Sequence, residues 1–488
     1  MNQHDIDTLR QHPVPPRGHL IDGARTDASD GGTMDVLSPI NGQVLTTIAK
    51  GTAQDMTVAV ASARAAFEDR RWAGQTPAMR KKIMLKWAEL IETHALELAV
   101  LGVRDNGTEI SMAIKAEPGS AAGTIRYYAE ALDKVYGEIA HTSDDVLALV
   151  HKEPVGVIGA IIPWNFPLMI GAWKLGPALA TGNSVVLKPA ETASLSLIRI
   201  AELALEAGLP PGVLNIVTGE GPVVGEALSL SMDVDVLVFT GSGTVGRRLL
   251  ENSARSNLKR VYLELGGKSP NIIFADAPNL DEAAKVAAMG IFRNSGQVCV
   301  AGSRLLVENA IHDDFVAAVC RAAEDLRVGN PLDLTSQIGA VNSERQLLQN
   351  LDFVEIAQSE GGTIATGGER INSETGGYYM APTVITGVGP DATISQKEIF
   401  GPVLGVTTFD DETEAIRIAN STAYGLAGGV WTSNLSRAHR LVREVRTGVM
   451  HVNTYGGADN TVPLGGVGQS GNGHDKSLHA FDKYVNLK

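Results

Sequence analysis

From residue 155 onward the chain alternates short apolar runs with helical patterns: VGVIGAII, LMIGAWKLGPALATG, SVVLKP, SLSLIRIAELALEAG and VLNIVTG follow one another with loops between them. Apolar runs of strand length separated by amphipathic stretches predict parallel strands joined by helical crossovers, the α/β layout of a doubly wound sheet. The rhythm continues through VDVLVFT, the turn GSGTVG, the helical RRLLENSA and the strand VYLEL ending at Leu265. A second α/β region is expected over roughly 267–468, with a helix at 279–292, a strand at SRLLVE and a helix at 311–328.

Ahead of the sheet, 55–67 and 77–101 repeat apolar residues at helical spacing and read as surface helices. The segment 136–155, YGEIAHTSDDVLALVHKEPV, places a polar turn between two strand-like pieces, so a hairpin is expected there. Its apolar stripe and exposed edge suit an interface between subunits better than a free arm. The run VGVIGAIIPWNFPLMIGAW, 155–173, is nearly long enough to span a bilayer, but Pro163, Asn165 and Pro167 interrupt it. A buried strand, a tight loop and a helix start fit it better than a spanning helix.

A formal net charge of -14 opposes binding to nucleic acid or to an anionic membrane. With two cysteines, Cys299 and Cys320, the chain has neither a disulfide framework nor a structural zinc site, and no metal is expected. Their scarcity suits a reducing compartment, and the polar first 20 residues carry no secretory pattern, so a cytoplasmic protein is expected.

Gly241-Ser242-Gly243-Thr244-Val245-Gly246 is a G-x-G-x-x-G between a predicted strand and a predicted helix, the setting in which backbone N–H groups meet a pyrophosphate. The same fingerprint expects a ribose-binding acid about 20 residues later, where Glu264 ends the next strand in LELGGKSPN. Spacing leaves three roles open for Glu264: ribose ligand, base, or strand-end charge. Cys299, in FRNSGQVCVAGSR, sits among small and polar residues and is the candidate nucleophile; Cys320, on the apolar face of FVAAVCRAAE, reads as a buried structural cysteine. Asn165, fixed between two prolines in PWNFP, reads as a preorganised donor. In LKPAE, Lys188 and Glu191 follow a strand, at the sheet edge where ligands bind.

Taken together, PWNFPL, LKPAE, FTGS, LELGGKSPN, GQVCVAGSR, EIFGPVL, YGLAGGVWT and PLGGVGQSG resemble the aldehyde dehydrogenase superfamily across nearly the whole chain. The runs RYYAEALDKVYGEIA and SGNGHDKSLHAFDKY look most like the γ-glutamyl-γ-aminobutyraldehyde dehydrogenases. The resemblance implies a Rossmann-type NAD-binding domain over 1–135 and 156–266, a catalytic domain over 267–470, and oligomerisation elements at 136–155 and 471–488 of a homodimer or homotetramer. It makes Glu264 the general base and moves the ribose to Glu191 and Lys188. Trp164, Gly241, Ser242, Gly246 and Leu265 are implied to line the cofactor, with Glu398, Phe400 and Gln346 on its nicotinamide side.

The implied reaction oxidises a small aldehyde to an acid through a Cys299 thiohemiacetal and thioester, with Asn165 holding the oxyanion and Lys174 helping to relay protons. Glu191 would repel a 2′-phosphate, so NAD is expected over NADP. Trp173, Tyr455 and Asp459 are the expected substrate contacts, with Asp459 either an attractor for an amine-bearing aldehyde or a solvated loop charge. The chain departs from the family pattern at Leu464, at Val467-Gly468 and at His474, and ends at Lys488, slightly short of many relatives. Rival readings are a semialdehyde dehydrogenase that acylates coenzyme A and a relative that keeps the fold without turnover.

Overall fold

The computed structural model describes residues 2–457 and 459–488; Met1, the first residue of the expected cofactor domain, and Ala458 lie outside the described residues. Two seven-stranded sheets carry the molecule. The first runs, edge to edge, Arg260–Glu264, Val236–Thr240, Val157–Ile161, Ser184–Lys188, Leu214–Ile216, His19–Ile21 and Ala24–Thr26. Its first five strands are parallel, and the two short N-terminal strands close the edge in antiparallel fashion.

Strand order reverses between Val157–Ile161 and Val236–Thr240, and such a switch point opens a crevice at the carboxyl ends of the strands. The register aligns those ends: Ile161 lies opposite Lys188 and Phe239, and Thr240 opposite Glu264. The strands Val157–Ile161, Ser184–Lys188 and Val236–Thr240 are buried almost throughout because helices cover both faces, which is why their sequences show no polar alternation.

The second sheet runs Thr363–Thr366, Thr383–Thr386, Val403–Phe409, Arg304–Glu308, Pro270–Ile273, Ala427–Trp431 and Val449–Val452, parallel except at its first pair. Only residues 265–269, LGGKS, separate the last strand of the first sheet from Pro270–Ile273. The fold class expected from the sequence is therefore the one observed.

Several boundaries differ from the expectation. The stretch 77–101 is two helices, Pro77–Thr93 and Ala95–Asn106, because His94 leaves helical geometry at φ -98° and ψ 16°. The helix expected over 311–328 spans His312–Glu324. The expected strand end at Leu265 falls at Glu264. Within 136–155 only Glu138–Ala140 and Ala148–Val150 form the hairpin, whereas Lys152–Pro154 pairs antiparallel with the C-terminal strand Val485–Leu487. The end of the chain thus forms a strand.

The segment 155–173 is a buried strand, a loop and the start of the helix Pro167–Ala180. Proline at the first helical position costs no hydrogen bond there. No residue of the helix's own N-cap supplies a side chain; instead Glu117, from another helical segment, accepts from Leu168 N at 2.7 Å and Met169 N at 3.1 Å. Among the described residues no helix is long and apolar enough to cross a membrane.

Candidate active site

The crevice edge of the first sheet gathers the residues expected to meet a dinucleotide. Gly241 N donates to the Glu264 carbonyl at 3.0 Å, tying the turn after one strand to the end of the next. Ser242 caps the helix Gly243–Ala254, its Oγ accepting from Val245 N, so the last four residues of GSGTVG are already the first helical turn. That open N-terminus carries the positive end of the helix dipole toward the crevice. Gly246 serves packing: a Cβ there would come within 2.9 Å of Leu265 Cδ2. Leu265 itself is buried and donates its N–H to the Ser470 carbonyl at 2.9 Å.

Lys188 Nζ and Gly221 N both donate to Glu191 Oε1, each at 2.7 Å, which fixes the carboxylate. Thr240 Oγ1, at the strand end beside the crevice, is buried without a partner. An open helix N-terminus, a fixed acid and an orphaned hydroxyl together fit a dinucleotide.

Across the crevice, Phe400 adopts a left-handed φ of 60° and meets Trp164 edge to face, with ring centroids 5.2 Å apart. Glu398 Oε1 accepts from Gly267 N at 2.9 Å. A side chain on Gly266 would collide with the Glu398 carboxylate, so the paired glycines of LELGG are what admit it. Burial pushes the Glu398 carboxyl up to about 7, against the Gly267 hydrogen bond and Lys268. Gln346, expected to face the cofactor, spends its amide nitrogen on the carbonyls of Ile399 at 3.0 Å and Phe400 at 3.3 Å. It thereby holds the backbone of the segment that carries Phe400.

Cys299 follows a tight turn in which Asn294, Ser295 and Gly296 all take positive φ, at 51°, 52° and 72°. Two consecutive non-glycine residues in that region are strained and need support from outside. Thr108 Oγ1 donates to Asn294 Oδ1 at 2.7 Å, Glu109 Oε1 accepts from Asn294 N at 3.2 Å, and Ser295 Oγ donates to the Gly339 carbonyl at 2.9 Å. Asn165 is buried, and its Nδ2 donates to the Gln297 carbonyl at 2.9 Å. The Cys299 residue is partly covered; desolvation of the thiol, with Glu398 and Glu264 nearby, pushes it up to about 12. Cys320 is half-buried rather than buried, packed against the rim of the main core.

A Cβ on Gly267 would approach the Cys299 carbonyl to 2.5 Å, so the segment after Glu264 lies flat against the cysteine loop. Glu264 is 7% exposed and its Oε1 has no hydrogen-bond partner. Burial, then Asp475, raise its carboxyl well above the usual range, while Lys174 and Lys483 pull the other way. Lys174, on the helix Pro167–Ala180, is ion-paired with Asp475.

Of the expected substrate contacts, Trp173 is buried with its Nε1 unpartnered, and Lys476 Nζ lies 5.9 Å from its ring centroid. The Tyr455 hydroxyl donates to the Val300 carbonyl at 2.9 Å, which commits it to the cysteine loop. Asp459 is exposed and accepts from Thr461 N at 2.8 Å. Leu464 and Asp475 exchange backbone hydrogen bonds, and His474 is exposed. Glu109, Asn294, Lys268, Asp475 and Lys483 escaped the sequence reading. The only local signals were Gly296 after a polar turn and the charged pair in GHDKS.

A thiol, an amide and an unpaired carboxylate at the strand ends of a doubly wound sheet are the parts of a cysteine-dependent dehydrogenase. Over residues 26–488 the chain matches the aldehyde dehydrogenase family. The NADP/NAD-dependent aldehyde dehydrogenase PuuC of Escherichia coli (strain K12) is 48% identical over 471 residues, covering 96% of this chain and 94% of that protein. The structure of an indole-3-acetaldehyde dehydrogenase complexed with NAD+ superposes with a TM-score of 0.99 at 50% identity, covering 100% of this chain and 99% of the other. The γ-glutamyl-γ-aminobutyraldehyde dehydrogenase of Burkholderia cenocepacia J2315 gives 0.98 at 49% identity, with the same coverage. This chain belongs to the aldehyde dehydrogenase family.

Proposed function

We propose that this aldehyde dehydrogenase oxidises an aminoaldehyde of the γ-glutamyl-γ-aminobutyraldehyde type, prefers NAD to NADP, and delivers its acyl group to water. The observation that carries the choice of water is the unpartnered Glu264 carboxylate beside the Cys299 loop. A base with raised proton affinity is suited to activating water near neutral pH.

The Cys299 thiol gives up its proton to solvent, the thiolate adds to the aldehyde carbon, and the oxygen that gains charge is met by the second amide hydrogen of Asn165 and by the Cys299 backbone N–H. When bound, NAD supplies the hydride acceptor that converts this adduct to a thioester. Trp164, Phe400, Glu398, Lys188, Glu191 and the first turn after Ser242 are the residues that would hold it. Glu264 then takes a proton from water, the resulting hydroxide adds to the thioester carbon, and the C–S bond breaks with the electron pair returning to Cys299. Lys174 stands ready through Asp475 to support the proton's departure.

The substrate class is supported by the likeness to the γ-glutamyl-γ-aminobutyraldehyde dehydrogenase of Burkholderia cenocepacia J2315 and by the exposed Asp459, whose charge suits an ammonium. Exposed Ile139, Leu147 and Leu149 on the hairpin, with the C-terminal strand beside it, support a homo-oligomer, and two unpaired cysteines suit the cytoplasm. Purified enzyme offered aminoaldehydes, aliphatic, aromatic and arylacetic aldehydes with NAD, with and without coenzyme A, tests the reading. Free acid as product and highest kcat/KM on the aminoaldehydes are expected. An acyl-CoA product overturns the choice of water, and a clear preference for indole-3-acetaldehyde overturns the substrate class.

A further inference from the structure

Asp475 is fully buried, and its two oxygens hold two different lysines: Oδ2 takes Lys174 and Oδ1 takes Lys483. Lys174 comes from the helix Pro167–Ala180, and Lys483 from the helical turn Leu478–Lys483 that leads into the C-terminal strand Val485–Leu487. Both lysines are themselves buried. The segment that carries Asp475 lies along the strand Arg260–Glu264: Glu264 bridges to Gly471, and Asn472 Oδ1 accepts from Leu263 N at 2.8 Å.

One buried carboxylate needs one counter-charge, and a second buried cation without an anion of its own is costly. With both lysines protonated, Lys174, Asp475 and Lys483 together carry one surplus positive charge. The nearby carboxylate whose Oε1 lacks a partner is Glu264. When Glu264 is ionised the four groups are neutral; when it is protonated they are not. We infer that Lys483 is a positioning residue for the base: by occupying Asp475 it supplies, from the C-terminal segment, the surplus positive charge that sustains the Glu264 anion.

Burial lowers the proton affinity of Lys174, and Asp475 and Glu264 work against it. Burial works to raise the Asp475 carboxyl and the two lysines overcome it, while burial and Asp475 raise Glu264 and the lysines oppose them. The other titratable groups facing the cluster are Cys299, on the Glu264 side, and Lys476, Tyr128 and Tyr484, on the Asp475 side. Both phenols are pushed up by burial and by Asp475, so they stay neutral through the working range.

The inference rests on Glu264 as the base of the proposed reaction. Its test is the pH dependence of thioester hydrolysis, followed by acid-quenching enzyme loaded with aldehyde and NAD and weighing the acyl adduct on Cys299 over time. Lys483→Met is expected to move the midpoint of the rising limb to higher pH by about one unit, and Asp475→Asn to move it lower, as neighbouring charges do. Lys483→Arg, which keeps the charge, is expected to hold the wild-type midpoint. Opposite displacements are what a merely structural role would not produce. If Lys483→Met does not fold, the acid displacement in Asp475→Asn with an unmoved Lys483→Arg supports the inference. An unmoved midpoint in Asp475→Asn, or in folded Lys483→Met, overturns it. Glu264→Gln separates the two failures: if it stops hydrolysis while Lys483→Met shifts nothing, only the inference falls, and if it hydrolyses normally both fall.

Discussion

The side-chain amide of Asn165 donates to the backbone carbonyl of Gln297 at 2.9 Å, two residues before Cys299. An asparagine amide has two hydrogens, so this bond fixes the nitrogen's place against the cysteine loop and leaves one donor for developing charge. Asn165→Ala removes both functions. We predict that kcat falls by about 10²–10³, the range found when one oxyanion donor is deleted. Steady-state kinetics with melting temperature measured alongside check it; a loss confined to KM would show that Asn165 contributes binding rather than stabilisation of charge.

Glu264→Gln keeps the shape of the buried side chain and removes the base. Acylation of Cys299 should continue while hydrolysis slows by about 10²–10⁴, the usual worth of a positioned base. The adduct should then accumulate, visible as added mass on the protein after aldehyde and NAD. An unmodified protein throughout turnover would place the base elsewhere.

The thiol of Cys299 is pushed up to about 12 by burial first and then by Glu398 and Glu264. A negative neighbour disfavours the thiolate, so removing one lowers the thiol's proton affinity and raises the thiolate fraction. Glu398→Gln should therefore speed alkylation of Cys299 by iodoacetamide. Because the Glu398 carboxyl is itself pushed up to about 7, the acceleration should appear above that pH and fade below it, where wild-type Glu398 is already neutral. Equal alkylation rates in variant and wild type at pH 8 would refute the coupling.

The parallel strands were legible because burial on both faces writes them as unbroken apolar runs, as in SVVLK and VLVFT. The break at His94 was not, since neither glycine nor proline marks it and the apolar spacing continues on both sides. At the site, motif residues announced themselves by their setting, whereas Asp475 and Lys483 look like surface charges until the chain folds the end segment along Arg260–Glu264. The left-handed Asn294 and Ser295 were equally silent, because the fold and not the residue type enforces that geometry. Gln346 is a different case: the resemblance implied a residue on the cofactor's nicotinamide side, and the structure puts its amide on the backbone of Ile399 and Phe400.

Glu191 provides the sharpest test of cofactor choice. Its Oε1 is occupied by Lys188 and Gly221, and in the proposed ribose-binding role its charge would repel a 2′-phosphate. Glu191→Gln keeps an acceptor for Gly221 and removes the charge, releasing the Lys188 ammonium to meet a phosphate. The ratio of kcat/KM for NADP to that for NAD should rise by about tenfold or more, equivalent to about 1.4 kcal/mol of relieved repulsion and new attraction. The change should lie mainly in KM for NADP and should shrink at high salt, because the interaction is between charges near the crevice edge. A ratio that stays at the wild-type value would show that the selection against NADP, if any, is made by another residue.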